Sequence, residues 1–149
     1  MRNPDEEVAP LLARAVAAAG RGAWDEALQL VDRAIEEAPG RAEPLLTRAR
    51  LLRASGRDPA SALRALRRAI RCVQEPSRRA EVLAEYARAL EPIGRYREAA
   101  AAFEEAIAHL ASQPDGGGTR RLELLDLAAR AHERAGHLEQ ALERHRAAR

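Results

Sequence analysis

The sequence predicts an all-α fold built from about four antiparallel helix pairs, and three observations carry that prediction. Of 149 residues, 35 are Ala and only four are aromatic: Trp24, Tyr86, Tyr96 and Phe103. A core made of Ala and Leu suits closely packed helices and suits a β-sandwich poorly. A glycine recurs at Gly22, Gly56, Gly94 and Gly136, with spacings of 34, 38 and 42 residues, each time between two apolar, Ala-rich stretches. Finally, no proline falls at the centre of a predicted helix, where it would remove a hydrogen bond and clash with the preceding turn.

Taken in order, helices are expected near 5–20, 23–37, 43–55, 59–73, 78–93, 95–111, 120–135 and 137–147. Pro10, Pro44 and Pro59 lie in first or second turns, where a missing N–H is tolerated. Asp58-Pro59 reads as a helix cap followed by proline at the first helical position. Pro39, Pro76 and Pro114 lie in connections, and Pro92 stands two residues before Gly94. Residues 112–119, Ser-Gln-Pro-Asp-Gly-Gly-Gly-Thr, are the one connection expected to be flexible, which accounts for the widest spacing.

The register around the glycines is regular. Seven residues before them stand Ala15, Ala49, Ala87 and Ala129, and eleven before them Leu11, Leu45, Leu83 and Leu125. Five and twelve residues after Gly22, Gly94 and Gly136 come Ala27 and Ala34, Ala99 and Ala106, Ala141 and Ala148. Gly56 joins the pattern, through Ala62 and Ala69, once one extra residue is allowed at Asp58-Pro59. Trp24, Tyr96 and Leu138 share one position, and Val31, Leu66, Phe103 and His145 another. Ala where two helix backbones approach most closely, with a bulky residue beside it, describes a packed helix pair.

Charge is distributed unevenly. The net charge is +2 and the pI about 9.3, because the chain has 25 Arg, no Lys and only two Tyr to titrate above neutral pH. Residues 1–44 carry nine acids and five Arg, whereas residues 45–74 carry one acid and eight Arg. Residues 75–116 return to eight acids and five Arg. Within the basic segment, Arg64, Arg67, Arg68 and Arg71 recur at helical spacing and form one stripe. Three readings fit it: a solvated Arg face paired with neighbouring acids, a patch for an acidic protein, or a phosphate contact. The absence of aromatics from residues 45–74 argues against single-stranded nucleic acid.

Nothing in the sequence assembles reactive groups, so the expectation is a protein that is not an enzyme and needs neither metal nor cofactor. Gly116-Gly117-Gly118 lacks the Lys and Ser/Thr of a phosphate-binding loop and reads as linker. His132 and His137 are five apart across a predicted turn, rather than four apart on one helix face. Cys72 is alone, which fits a reducing compartment. The first residues are acidic without the apolar stretch of a secretory signal, and no window is apolar enough for a membrane span, so a cytoplasmic location is expected.

With its glycine-centred helix pairs, the chain resembles the tetratricopeptide repeat (TPR) family. The match covers residues 8–148, with units near 8–41, 42–76, 80–113 and 122–149 of a single domain spanning 1–149. Unit four contains Glu133-Arg134-Ala135-Gly136-His137-Leu138, similar to repeats that accompany bacterial regulatory proteins. The resemblance implies a right-handed superhelical solenoid whose first helices line a concave groove. It implies a role as scaffold, adaptor or chaperone-like subunit that holds a peptide or helix of another protein.

Mapped onto this sequence, the family's groove positions give Ala9, Leu12, Val16 and Ala19 in the first unit, and Glu43, Leu46, Arg50 and Arg53 in the second. The third supplies Glu81, Ala84, Arg88 and Glu91, the fourth Glu123, Asp126, Arg130 and Glu133. Arg50, Arg88 and Arg130 then form one row and Glu43, Glu81 and Glu123 another, two helical turns apart. Arg offers a planar fork to carboxylates, so an acidic or mixed-charge segment anchored at Leu12, Val16 and Leu46 would fit. The alternative is that the rows pair with each other and keep the surface soluble. Members that grip a chaperone's terminal carboxylate use Lys and Asn, whereas this chain has no Lys and its one Asn is Asn3. A further expectation is a homo-oligomer formed through the last helix, which carries Leu138 and Leu142.

Overall fold

The structure is a computed structural model that describes residues 3–149. Among these residues are eight α-helices, one 3₁₀ turn and no strand. They fall into two compact units, Met1–Cys72 and Val73–Arg149.

The first unit holds α1 (Pro4–Gly20), α2 (Trp24–Glu37), α3 (Ala42–Ala54) and α4 (Pro59–Cys72). Helix α1 packs on α2 and also touches α3, while α3 packs on both α2 and α4. The core joins Val8, Leu11, Leu12, Ala15 and Ala18 of α1 to Ala27, Leu30, Val31 and Ala34 of α2, with Leu51 of α3. Trp24 and Ile35 close its edges as partly buried side chains. Leu45, Ala49 and Leu52 of α3 and Ala62, Leu66 and Ala69 of α4 are buried in the same unit.

The second unit holds α5 (Pro76–Leu90), a 3₁₀ turn at Glu91–Ile93, α6 (Tyr96–Ala111), α7 (Gly118–Arg134) and α8 (Leu138–Ala148). Helix α6 packs between α5 and α7, and α8 lies on α7. Phe103 is fully buried, ringed in sequence register by the buried Ala99, Ala102 and Ala106. Helix α8 contributes a single buried residue, Ala141.

The register of the sequence appears directly in the packing. Of the twelve recurring alanines, eleven are buried, and all four recurring leucines are buried with them. Ala148, in the last turn of α8, is the partly exposed exception. Each recurring glycine adopts a left-handed φ, from 67° at Gly56 to 81° at Gly136. In every case the next residue's N–H bonds back five residues, as from Ala23 to Ala18 O and from His137 to His132 O. That is the helix-ending loop that glycine makes cheap, and it sets up each helix pair.

The extra residue of the second unit of the repeat has a local signature too. Asp58 holds a φ of 31°, the one positive value outside glycine among the described residues. Its carboxylate accepts the Ser61 N–H at 3.1 Å and so caps α4, with Pro59 as the first helical residue.

Two boundaries differ from the sequence reading. Helix α5 begins at Pro76, because the Glu75 carboxylate accepts the N–H groups of Ser77 and Arg78 at 2.9 and 2.8 Å. It ends at Leu90, because Pro92 has no N–H with which to continue the α-helical ladder and the chain tightens into the 3₁₀ turn. The stretch before α7 is a series of hydrogen-bonded turns. Gln113 N–H donates to Leu110 O, Gly116 N–H to Gln113 O, and Gly117 N–H to the Asp115 carboxylate. At Gly117, whose φ is 81°, a Cβ would sit 2.6 Å from that of Leu110. No helix among the described residues is long and apolar enough to cross a membrane.

Candidate functional site

The first helix of each pair uses one arc for the core, and the rest of its circumference is available to solvent. In α1 the exposed arc carries Ala9, Ala13, Val16 and Ala17, with Val16 59% exposed, together with the charged Asp5, Glu6 and Arg14. In α3 it is charged, with Glu43, Arg50 and Arg53 exposed and Glu43 3.5 Å from Arg41. Leu12 and Leu46, expected as apolar anchors, are instead 6% and 4% exposed. The cause is geometric: α1 meets both α2 and α3, and α3 meets α1, α2 and α4, so the buried arc of each is wider than one row. Val16 is the anchor residue that remains accessible.

In the second unit, Ala84 is likewise buried. Arg88 donates to the carboxylate of buried Glu85 at 3.4 Å, and Arg130 pairs with Asp126 at 2.9 Å, each within its own helix. Glu81 lies 3.9 Å from Arg120 of α7, and Glu91 3.7 Å from Arg134. Arg134 also stacks over the Tyr96 ring at 5.6 Å. Thus Arg88 and Arg130 have partners one turn away on their own helices, an arrangement that holds the guanidinium groups in place while leaving Arg130 exposed.

The Arg stripe of α4 is exposed at Arg64, Arg67 and Arg71, with Arg68 half-buried. Beside it, a cavity of about 310 Å³ opens between α2, α3 and α4. Asp32, Ile35, Leu45, Arg48, Ser61, Arg64, Ala65 and Arg68 line it. Arg48 spans its wall, with Nε donating to Asp32 at 2.8 Å and a terminal nitrogen to Ser61 Oγ at 2.6 Å. Arg68 donates to the Pro39 carbonyl at 2.9 Å.

One polar cluster was not anticipated from the sequence. Glu104 of α6 accepts from Arg144 Nε of α8 at 2.7 Å and lies 3.0 Å from Nε2 of His132 on α7. The other ring nitrogen of His132 is 3.4 Å from Nδ1 of His137, one donating and the other accepting. His145 Nε2 lies 2.8 Å from Glu133, and its Nδ1 3.7 Å from Asp126. The only sequence signal for this cluster is the pair of histidines flanking Gly136, which the turn folds back onto each other. Among the described residues no group of three or more His, Cys, Asp or Glu is placed to hold a metal ion. Cys72 is half-buried at the end of α4.

No family model matches the sequence, and no curated protein matches it either. Solved structures do. A crystal structure of MamA superimposes with a TM-score of 0.77 at 18% identity, over 95% of this chain and 75% of that one. A Podosopora anserina putative kinesin light chain with nearly identical TPR-like repeats gives 0.80 at 22% identity, over 99% and 75%. BtubC (BKLC) from P. vanneervenii gives 0.87 at 15% identity, over 99% of this chain and 64% of its own. Eight helices, left-handed glycines between the members of each pair and near-complete coverage by these structures lead to one conclusion: the chain has the all-α, TPR-like repeat fold.

Proposed function

We propose that this chain is a protein-binding module that acts by holding a segment of a partner protein, as a scaffold or adaptor, and carries out no catalysis itself. The observation that carries the reading is the split use of the first helices. One arc is consumed by the core, and the other presents exposed Val16 in α1 and exposed Glu43, Arg50 and Arg53 in α3. An exposed apolar residue on α1 and clustered Arg on α3 suit a segment with carboxylates and one apolar anchor. In the second unit, Glu81, Arg88, Asp126 and Arg130 would form a mixed-charge surface of that unit's own. TPR-like repeats in the structural neighbours support a protein partner, and a cytoplasmic setting suits the lone Cys72.

The test is affinity capture from a lysate of the source organism, comparing wild type with Val16→Glu and with the triple variant Arg50→Glu, Arg88→Glu, Arg130→Glu. Circular dichroism would verify that each variant folds. Binding through the first helices requires a protein held by wild type and released by both variants. A partner retained by all three would place recognition elsewhere on the chain.

A second reading, self-association through α8, is favoured by Leu138 at 67% and Leu142 at 57% exposed on a helix with one buried residue. Sedimentation velocity over a concentration series would then show a dimer that Leu138→Glu with Leu142→Glu abolishes. A monomer at every concentration removes it.

A further inference from the structure

We propose that the crevice between α2, α3 and α4 is a second docking point, one that receives a carboxylate side chain and an adjoining apolar residue from an acidic segment of a partner protein. The proposal rests on the reading of the chain as a protein-binding module, and concerns a surface distinct from the first-helix arcs.

Shape comes first. The cavity holds about 310 Å³, room for roughly ten waters at ~30 Å³ each, which is enough for a short stretch of side chain. Its floor is apolar, made by Ile35, Leu45 and Ala65. An apolar floor under a charged rim favours a ligand that is itself partly apolar and partly anionic.

Charge decides the sign of the ligand. Three Arg and one Asp line the cavity. Asp32 is already engaged by Arg48, which also donates to Ser61. Arg68 donates to the Pro39 carbonyl, a neutral acceptor that leaves its charge uncompensated. The Arg64 side chain is 67% exposed, and its approach to Asp58 is only 4.0 Å. Helix α4 itself contains four Arg and no acid. Arg64 and Arg68 are four residues apart, so they are neighbours on the helix surface, and like charges in that arrangement repel. A carboxylate between them relieves the repulsion and accepts from both guanidinium forks.

Composition argues for protein over nucleic acid. No aromatic side chain lines the crevice, so there is no platform for a base, and the apolar floor has nothing to offer a sugar–phosphate backbone. A carboxylate carried next to Leu, Ile or Val meets both the rim and the floor.

The experiment uses the full chain and a fluorescein-labelled peptide of alternating Glu and Leu, followed by fluorescence anisotropy. Its Gln-for-Glu counterpart and a single-stranded RNA oligonucleotide serve as competitors. Arg64→Gln with Arg68→Gln removes the rim of the crevice. Arg67→Gln with Arg71→Gln removes equal charge from the same helix outside it. The expected result is saturable binding that the first pair of substitutions weakens by about tenfold or more, the loss of a charge-assisted hydrogen bond. The second pair should change it less than about twofold.

Equal loss in both pairs, no binding by wild type, equal binding of the Gln peptide, or displacement by the RNA would each overturn the proposal. Loss of peptide binding in the Arg50→Glu, Arg88→Glu, Arg130→Glu variant, with binding intact in Arg64→Gln with Arg68→Gln, would assign the peptide to the first-helix arcs and overturn the crevice. Failure at the crevice is thereby separated from failure of the first-helix reading.

Discussion

At the scale of single residues, the glycines between helix pairs and the carboxylate before α5 make the sharpest claims. Gly94 holds a φ of 75° with nothing within 4 Å of where a Cβ would be. Gly94→Ala therefore introduces no clash, and its cost is conformational, about 1–2 kcal/mol for a left-handed non-glycine residue. Gly20, which ends α1 without a left-handed φ, is equally open. Gly20→Ala should stabilise by up to ~1 kcal/mol. Urea midpoints that move in opposite directions for the two variants are the expected result; a loss at both would mean that space, not backbone conformation, selects glycine. Glu75 makes a pH-dependent claim. Two backbone N–H bonds from Arg78 and Ser77 hold its carboxyl below the usual value of 4.5. A pKa lowered in the folded state adds stability above the ordinary carboxylate range, and that stability is lost as pH falls through the lowered value. Wild type should therefore melt above Glu75→Gln at neutral pH, and the difference should shrink on acidification; a gap of constant size would refute the assignment.

Elements differ in how they are held, and α8 is the extreme case. It buries only Ala141, whereas α6 buries seven residues. Its attachment draws on polar contacts, chiefly Arg144 with Glu104, which also receives His132. Removing Glu104 leaves a buried histidine ring and a half-buried guanidinium without that acceptor, an effect of about 1–3 kcal/mol. Glu104→Ala should therefore raise amide hydrogen exchange in α8 more than in α6, since the helix with least apolar burial opens first. Uniform deprotection would show that α8 is held by packing alone. This network also marks where sequence reading stops. Glycine turns, helix pairs and the inward alanines were legible because each recurs at a fixed offset that backbone geometry enforces. Glu104, His132 and Arg144 are 28 and 40 residues apart and occur in no other unit, so no periodicity reports them. The crevice was half legible: the Arg stripe of α4 follows from helical spacing, but Arg48, Asp32 and Ile35 come from two other helices. Leu12 and Leu46 went inward because their helices each meet more than one neighbour, a fact of packing that a one-helix pattern does not contain.

For the whole molecule, charge acts through its pattern and hardly through its total. With 25 Arg, no Lys and one Cys, little titrates between the histidines and the tyrosines, so the net charge stays near +2 over that interval. A small net charge gives weak long-range steering, while the basic segment of residues 45–74 and its acidic neighbours give strong local fields. Salt should separate the two. Among the described residues the ion pairs are mostly exposed, such as Arg41 with Asp5 and Arg95 with Glu98, and exposed pairs contribute about 0–1 kcal/mol each. Thermal stability should accordingly change little between low and physiological ionic strength. Binding of an acidic segment to Arg64 and Arg68, by contrast, should weaken steadily as the screening length shortens to about 8 Å. Parallel titrations across that range, with melting curves on the same samples, test the separation: binding that fades while the melting temperature holds is the expected outcome. Equal sensitivity of the two would mean that the Arg residues serve the fold and not a partner.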